Sequence, residues 1–196
     1  MITITIILCL LTILLLTYSR ETYVASTIDN KEYAVLSNFS DQTDAANRLA
    51  RINHTNLALI DYMVKKYNTE GTLGYTLATR LKKRYRPDRL VENNPPGPDD
   101  TSYTENKGEK VALCLREKKS GGNVLHDQSL IEFVDLHEMA HIASEGIGHE
   151  DEFWKNFEFI LIEAFHAGLH KPQDYSKDPV NYCGLDVSYN PFYNGT

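Results

Sequence analysis

Three apolar patterns run along this chain and predict different elements. The first is Ile2 to Tyr18, which carries no charged residue. It is apolar all round rather than along one stripe, and as a helix it spans about 25 Å, slightly less than the ~30 Å hydrocarbon core of a bilayer. It reads as a single-pass N-terminal transmembrane anchor over residues 1–19, which would make membrane a partner through residues 2–18. A secretory signal peptide, with the domain secreted after cleavage, is the alternative, but no basic n-region precedes Ile2. Arg20 follows the span with Glu21 beside it, so orientation is barely indicated. Residues 20–40 are mixed and polar and read as a tether.

The second pattern is helical. Ala45, Leu49, Ile52, Leu57, Ile60, Val64 and Tyr67 recur every three to five residues and predict a helix from Asp41 to Asn68, with Ser40 or Asp41 as its cap. Gly71 and Gly74 break it. A second helix over about 75–85 places Leu77, Leu81 and Tyr85 on one face. Arg80, Lys82, Lys83, Arg84 and Arg86 lie on the other, a solvated face before it is a phosphate or anionic-lipid site. Pro87 stops it. A third helix over 151–168 buries Phe153, Trp154, Phe157, Ile160, Leu161 and Ala164.

The third pattern is short and extended. Ser102 to Asn106 and Lys110 to Glu117 flank Lys107-Gly108 and predict a hairpin. The segment 92–100, ENNPPGPDD, is a turn-rich loop. The tail from Lys171 has little periodicity, and its aromatic residues require that it pack on the domain.

Composition narrows the class. With 196 residues and 42% hydrophobic content, the chain suits one globular domain, over 41–196, plus an N-terminal appendage. A net charge of −7 and a pI near 5.5 speak against general nucleic-acid affinity. Of three cysteines, Cys9 lies in the apolar N-terminus, leaving Cys114 and Cys183 as either one disulfide or two buried thiols. No CxxC spacing offers zinc a cysteine site. Asn38, Asn53 and Asn194 begin glycosylation sequons, which act only on a lumenal side.

The candidate chemistry is concentrated in LHEMAHIASEGIGHEDEFW, residues 136–154. His137 and His141 are four apart, so on a helix they share a face and suit one Zn²⁺. Glu138, one position further round, borders the open side of such a metal and suits a general base for water. HExxH alone is a short pattern, and two histidines on a solvated helix face would produce it. Here the flanks Ile131, Phe133, Val134, Leu136, Met139, Ala140 and Ile142 are apolar, so the helix is mostly buried. Asp127 or Ser129 suits its cap.

Zinc catalysis needs a third protein ligand and one open position. Gly146 and Gly148 tolerate a reversal of the chain, and His149 follows at once. Glu163, and less so Glu158, is the rival from the next helix; His149 leads on geometry. His166 and His170 are again four apart and read as dipole partners of a helix C-terminus rather than as a second site. Tyr175, Tyr182 and His166 are the candidates for stabilising an oxyanion.

HExxH, a glycine turn and then Gly148-His149 before Phe153-Trp154 resembles the WLM and SprT-like zinc metallopeptidases. The resemblance covers about residues 109–170. One departure stands out: seven residues separate His141 from His149, against about five in typical WLM members. The resemblance implies a minimal zincin fold, with a strand before the active helix and a supporting helix after it. It also implies that the Val111 to Arg116 strand borders the cleft and pairs with an extended peptide.

The resulting expectation is an α+β domain, mostly helical with a small antiparallel sheet, behind an N-terminal hydrophobic helix. Its function is a membrane-tethered zinc endopeptidase acting on a peptide or protein substrate. The alternatives are a protease of DNA–protein crosslinks, as in DNA-repair members of these families, and a non-catalytic zinc-stabilised interaction module. Glu138 argues against the last, since a structural zinc site needs no base.

Overall fold

The computed structural model describes residues 21–93 and 101–195. In chain order the elements are β1 (Glu21–Ala25), β2 (Glu32–Leu36), α1 (Gln42–Lys66), α2 (Leu73–Arg84), β3 (Leu90–Glu92), β4 (Tyr103–Glu105) and β5 (Lys110–Leu113). They continue as α3 (Gln128–Ala143), α4 (Asp151–His166), β6 (Val180–Tyr182), β7 (Leu185–Val187) and α5 (Pro191–Asn194). Strands β1 to β5 form one sheet in the order β1-β2-β3-β5-β4. Its outer pairs, β1/β2 and β4/β5, are antiparallel, while β2/β3 and β3/β5 are parallel. β6 and β7 form a separate antiparallel hairpin.

This corrects the expected fold class. The protein is a mixed α/β domain on a five-stranded sheet of mixed direction, where a small antiparallel sheet was expected. The difference comes largely from residues 20–40. Read as a tether, they supply β1 and β2, and β2 is buried over Tyr33 to Leu36. A strand covered on both faces shows no polar alternation, and its neighbour β3 arrives from more than fifty residues away.

The single-pass anchor is corrected too. The hydrophobic segment 2–18 lies outside the described residues, and among those residues no helix is long and apolar enough to cross a membrane. The longest, α1, has 25 residues but carries Asp44, Arg48, Arg51, Asp61, Lys65 and Lys66.

The core explains why the helices sit where they do. α1 turns Ala45, Leu49, Ile52, Leu59, Ile60 and Met63 inward, each 5% exposed or less. Burying one large aliphatic side chain contributes roughly 1.5–3 kcal/mol. α1 and α3 both touch the sheet, α2 bridges them, and α4 packs along α3. Asp41 heads α1, but its carboxylate accepts from the Arg116 guanidinium at 2.7 Å rather than capping the helix.

A buried polar chain crosses this core and fixes α3 against α1. Asn53 Nδ2 donates to the Tyr33 hydroxyl (3.0 Å), and the Tyr85 hydroxyl donates to Asn53 Oδ1 (3.0 Å). Asn56 Nδ2 donates to the Tyr85 oxygen and to Asp135 Oδ1, both at 3.2 Å. Burial holds the Asp135 carboxyl well above the usual carboxylate range. Asn53 is 1% exposed, so this sequon is closed to glycosylation in the folded chain.

Candidate metal and catalytic site

α3 carries the HExxH residues and is tied down at both ends. At its start the Asp127 carboxylate accepts from Ser129 N–H at 2.8 Å. At its end Arg80 donates to the Ala143 carbonyl (2.9 Å), and Arg84 donates to the carbonyls of Ile142 (2.9 Å) and Ser144 (3.2 Å). Cations suit this negative end of the helix dipole. Two members of the basic run on α2 are therefore committed to α3, a use that their spacing alone does not reveal.

The helix stops at Ser144, before either glycine, and the turn that follows is long but held. Glu152 accepts from the backbone N–H groups of Glu145 and Gly146, each at 3.1 Å. The Lys107 ammonium donates to the Gly146 carbonyl from the β4–β5 turn. Gly148 has φ +94°, the left-handed conformation that only glycine adopts without strain. These contacts absorb the two extra residues of the turn and return His149 to α3.

The three histidines converge. Nε2 of His141 lies 3.2 Å from Nε2 of His137 and 3.2 Å from that of His149, and the His149–His137 pair stands at 2.9 Å. Tetrahedral zinc at 2.0–2.1 Å from each nitrogen sets neighbouring ligands about 3.3 Å apart, so the trio fits such an ion. Phe153 is the platform beneath all three rings, with centroids at 4.7, 4.3 and 4.6 Å from His137, His141 and His149. Burial, with the neighbouring histidines, pushes His137 down to about 3. Burial, with His149 and Lys107, pushes His141 down to about 4. Burial lowers His149 as well. All three shifts favour the neutral imidazole, the form that binds a metal.

Glu138 is 4% exposed and faces the same cavity. Burial raises its carboxyl to about 7, and a hydrogen bond from the Thr104 hydroxyl (2.8 Å to Oε2) pulls the other way. Thr104 sits on β4, and this corrects the expected role of Val111 to Arg116. β5 lies between β3 and β4 and is paired on both sides, so the strand edge that borders the cleft is β4.

Glu163 does not join the histidines. It is buried and accepts from Lys66 Nζ at 2.6 Å, with His166 Nδ1 at 3.5 Å. Glu158 is likewise outside the cluster, which among the described residues consists of His137, His141 and His149. His170 is buried, with Nδ1 3.5 Å from the Glu132 carboxylate. Of the three oxyanion candidates, Tyr175 is buried against Phe133 (4.9 Å) and His166 stands at the far end of α4. Tyr182 lines the cavity, its hydroxyl 2.7 Å from Ser102 Oγ. Cys114 and Cys183 form a disulfide, which fastens the β6–β7 hairpin beside β5.

The cavity has a volume of about 830 Å³ and joins α3, β4, the His149 turn, α4 and the β6–β7 hairpin. Thr104, Leu185, Val187 and Tyr189 escape a reading of the sequence. Thr104 depends on the placement of β4 against α3. The hairpin has a signal in Cys183-Gly184, both at positive φ (49° and 94°), followed by the alternation Leu185-Asp186-Val187.

Fold and site together define a mixed α/β domain with a three-histidine cluster at an HExxH helix. The fold is similar to that of Wss1 from Saccharomyces cerevisiae. A crystal structure of a Wss1 mutant matches with a TM-score of 0.51 and 19% identity, over 68% of this chain and 88% of that one. No family model matches the sequence. The chain belongs to the family of the uncharacterized protein R325 of Acanthamoeba polyphaga mimivirus, with which it shares 36% identity over 171 residues, 87% of this chain and 84% of that protein. A shorter match, 39% identical over 83 residues, links it to the uncharacterized protein 136R of Invertebrate iridescent virus 6, over 42% of this chain and 44% of that one.

Proposed function

We propose that this protein is a zinc-dependent endopeptidase of the WLM type. The observation that carries the reading is the meeting of three neutral imidazole nitrogens with one raised carboxyl in a single cleft. His137, His141 and His149 are the residues that would hold zinc, which supplies Lewis-acid polarisation and water activation at such a site. Glu138 takes the proton of the attacking water and passes it toward the departing amine. A carboxyl near 7 is suited to both directions of transfer. Thr104 orients that carboxylate through its hydroxyl. The outer edge of β4, unpaired among the described residues, holds an extended peptide by backbone hydrogen bonds, and Tyr182 is the donor we assign to the developing oxyanion.

The substrate in this reading is protein, either free or crosslinked to DNA. A groove of about 940 Å³ is lined by Lys83, Arg84, Arg86, Arg89, Lys107 and Lys110 together with Glu32, Asp88, Glu105 and Glu109. Basic residues outnumber acidic ones there six to four, although Arg84 and Lys107 also bind α3 and the turn after it, and such an excess favours contact with a phosphate backbone despite the net charge of −7. It supports the reading of a protease that acts on protein crosslinked to DNA.

The test is metal content and cleavage of an unfolded protein, for wild type and Glu138→Gln. The variant is expected to keep zinc and lose activity by about 10²–10⁴-fold. Activity within a few-fold of wild type removes the general-base role. Faster cleavage of DNA-crosslinked than of free substrate would favour the second form.

A further inference from the structure

We propose that the part of the cleft beside the three histidines is a side-chain pocket that selects a bulky apolar residue next to the scissile bond, with the C-terminal hairpin as its outer wall. This rests on the peptidase reading and goes beyond it to substrate choice.

Two lines of aromatic contact lead away from the metal-facing rings. His137 meets Phe157 edge-on (5.2 Å, 80°), and Phe157 meets Phe133 at 5.4 Å. His149 meets Trp154 at 5.7 Å, and Trp154 meets Tyr189 edge-on (5.5 Å, 88°). Between these lines β7 contributes Leu185 and Val187 to the same cavity. Leu185 is 45% exposed and Tyr189 39%. Apolar side chains left open inside a concavity that also holds a catalytic carboxyl mark a ligand-binding surface.

Among the described residues, the charged groups of the pocket outside the catalytic set are already engaged in hydrogen bonds. Of the ionisable residues lining the cavity outside the catalytic set, Lys107 is held by the Gly146 carbonyl and Asp186 accepts from Asn181 Nδ2 at 2.9 Å. A Lys or Asp side chain entering there would lose hydration among apolar walls, where Lys107 and Asp186 already carry hydrogen bonds. A Leu or Phe side chain would instead complete the aromatic walls. Thr104 and Glu138 line the same space, so the residue that fills it belongs to the backbone lying along β4.

The test uses the full chain and one quenched peptide varied at the positions flanking the cut, with Leu, Phe, Ala, Asp or Lys. The Leu and Phe peptides are expected to show kcat/KM about 10–100-fold above the Asp and Lys peptides, with product masses placing the apolar residue at the cut. Val187→Asp and Leu185→Asp, both on the rim of the hairpin, should erase that preference while circular dichroism stays unchanged. Binding is read separately. Trp154 is the one tryptophan of the chain, so its emission should shift when Glu138→Gln takes up the Leu or Phe peptide and not the Asp peptide. Equal cleavage of all five peptides, unchanged in both hairpin variants, overturns the pocket and leaves the peptidase reading standing. No cleavage, beside a Trp154 shift with apolar peptides alone, supports the pocket and counts against the peptidase. Absence of both signals overturns the pocket and counts against the peptidase.

Discussion

Two pairs of histidines in this chain have the same spacing, and they end in different places. His137 and His141 lie within α3, where a separation of four keeps both rings on one face and sets their Nε2 atoms 3.2 Å apart. His166 is the last residue of α4; Ala167 then caps the helix, and Gly168 turns away at φ +68°. His170 therefore leaves the helical path and buries itself beside Glu132, while His166 remains exposed beside Glu163. The i, i+4 rule is a statement about helices, so it holds only where the backbone between the two residues stays helical. The first pair also has what the second lacks, a platform in Phe153 and a turn that brings back a third imidazole.

Removing the third imidazole is the strongest way to break the contrast. His149→Ala should lower zinc affinity by at least about 100-fold in a titration against a competing chelator, since even partners behind the ligands commonly cost 10–100-fold. Unchanged affinity would move the metal away from this trio. Glu163→Gln comes next and should act on stability alone. It removes the carboxylate that Lys66 meets at 2.6 Å, and a charge-assisted bond to a Lys66 side chain 37% exposed is worth about 1–2 kcal/mol. A denaturant midpoint reads that loss, and zinc affinity should stay within about two-fold. A large loss of zinc in this variant would restore Glu163 as a ligand. His166→Ala sharpens the comparison from the weak end. It should change stability by less than about 0.5 kcal/mol, and the bound zinc should remain one ion per chain by metal analysis.

The same contrast shows how much was legible in the sequence. α1, α2 and α4 carry 3.6-residue patterns, and the structure places them within a few residues of the reading; α3 is apolar nearly all round and is marked instead by its Asp127 cap and the HExxH motif. The HExxH histidines were legible because both sit inside one helix. His149 was legible through Gly148, whose positive φ the reversal of the chain requires. What stayed hidden depends on contacts between distant segments. β2 reaches β3 through a parallel pairing of Ala34 with Val91, and no local pattern announces that. Thr104 acquires its partner only when β4 docks beside α3. The fate of Arg80 and Arg84, at the carbonyl end of α3, required knowing that α2 lies across that end.

The Cys114–Cys183 bond closes a covalent ring with a sequence separation of 69 residues. Glu138 and all three histidines lie inside that ring. An unfolded chain with the bond intact searches for the metal site with its ends already joined, which in the chain-entropy account is worth about 4 kcal/mol. That is a large share of the margin of an ordinary domain. One backbone cut anywhere between the two cysteines would leave the severed pieces joined. The redox state of the surroundings thus decides whether this site is assembled from an open chain or from a closed one.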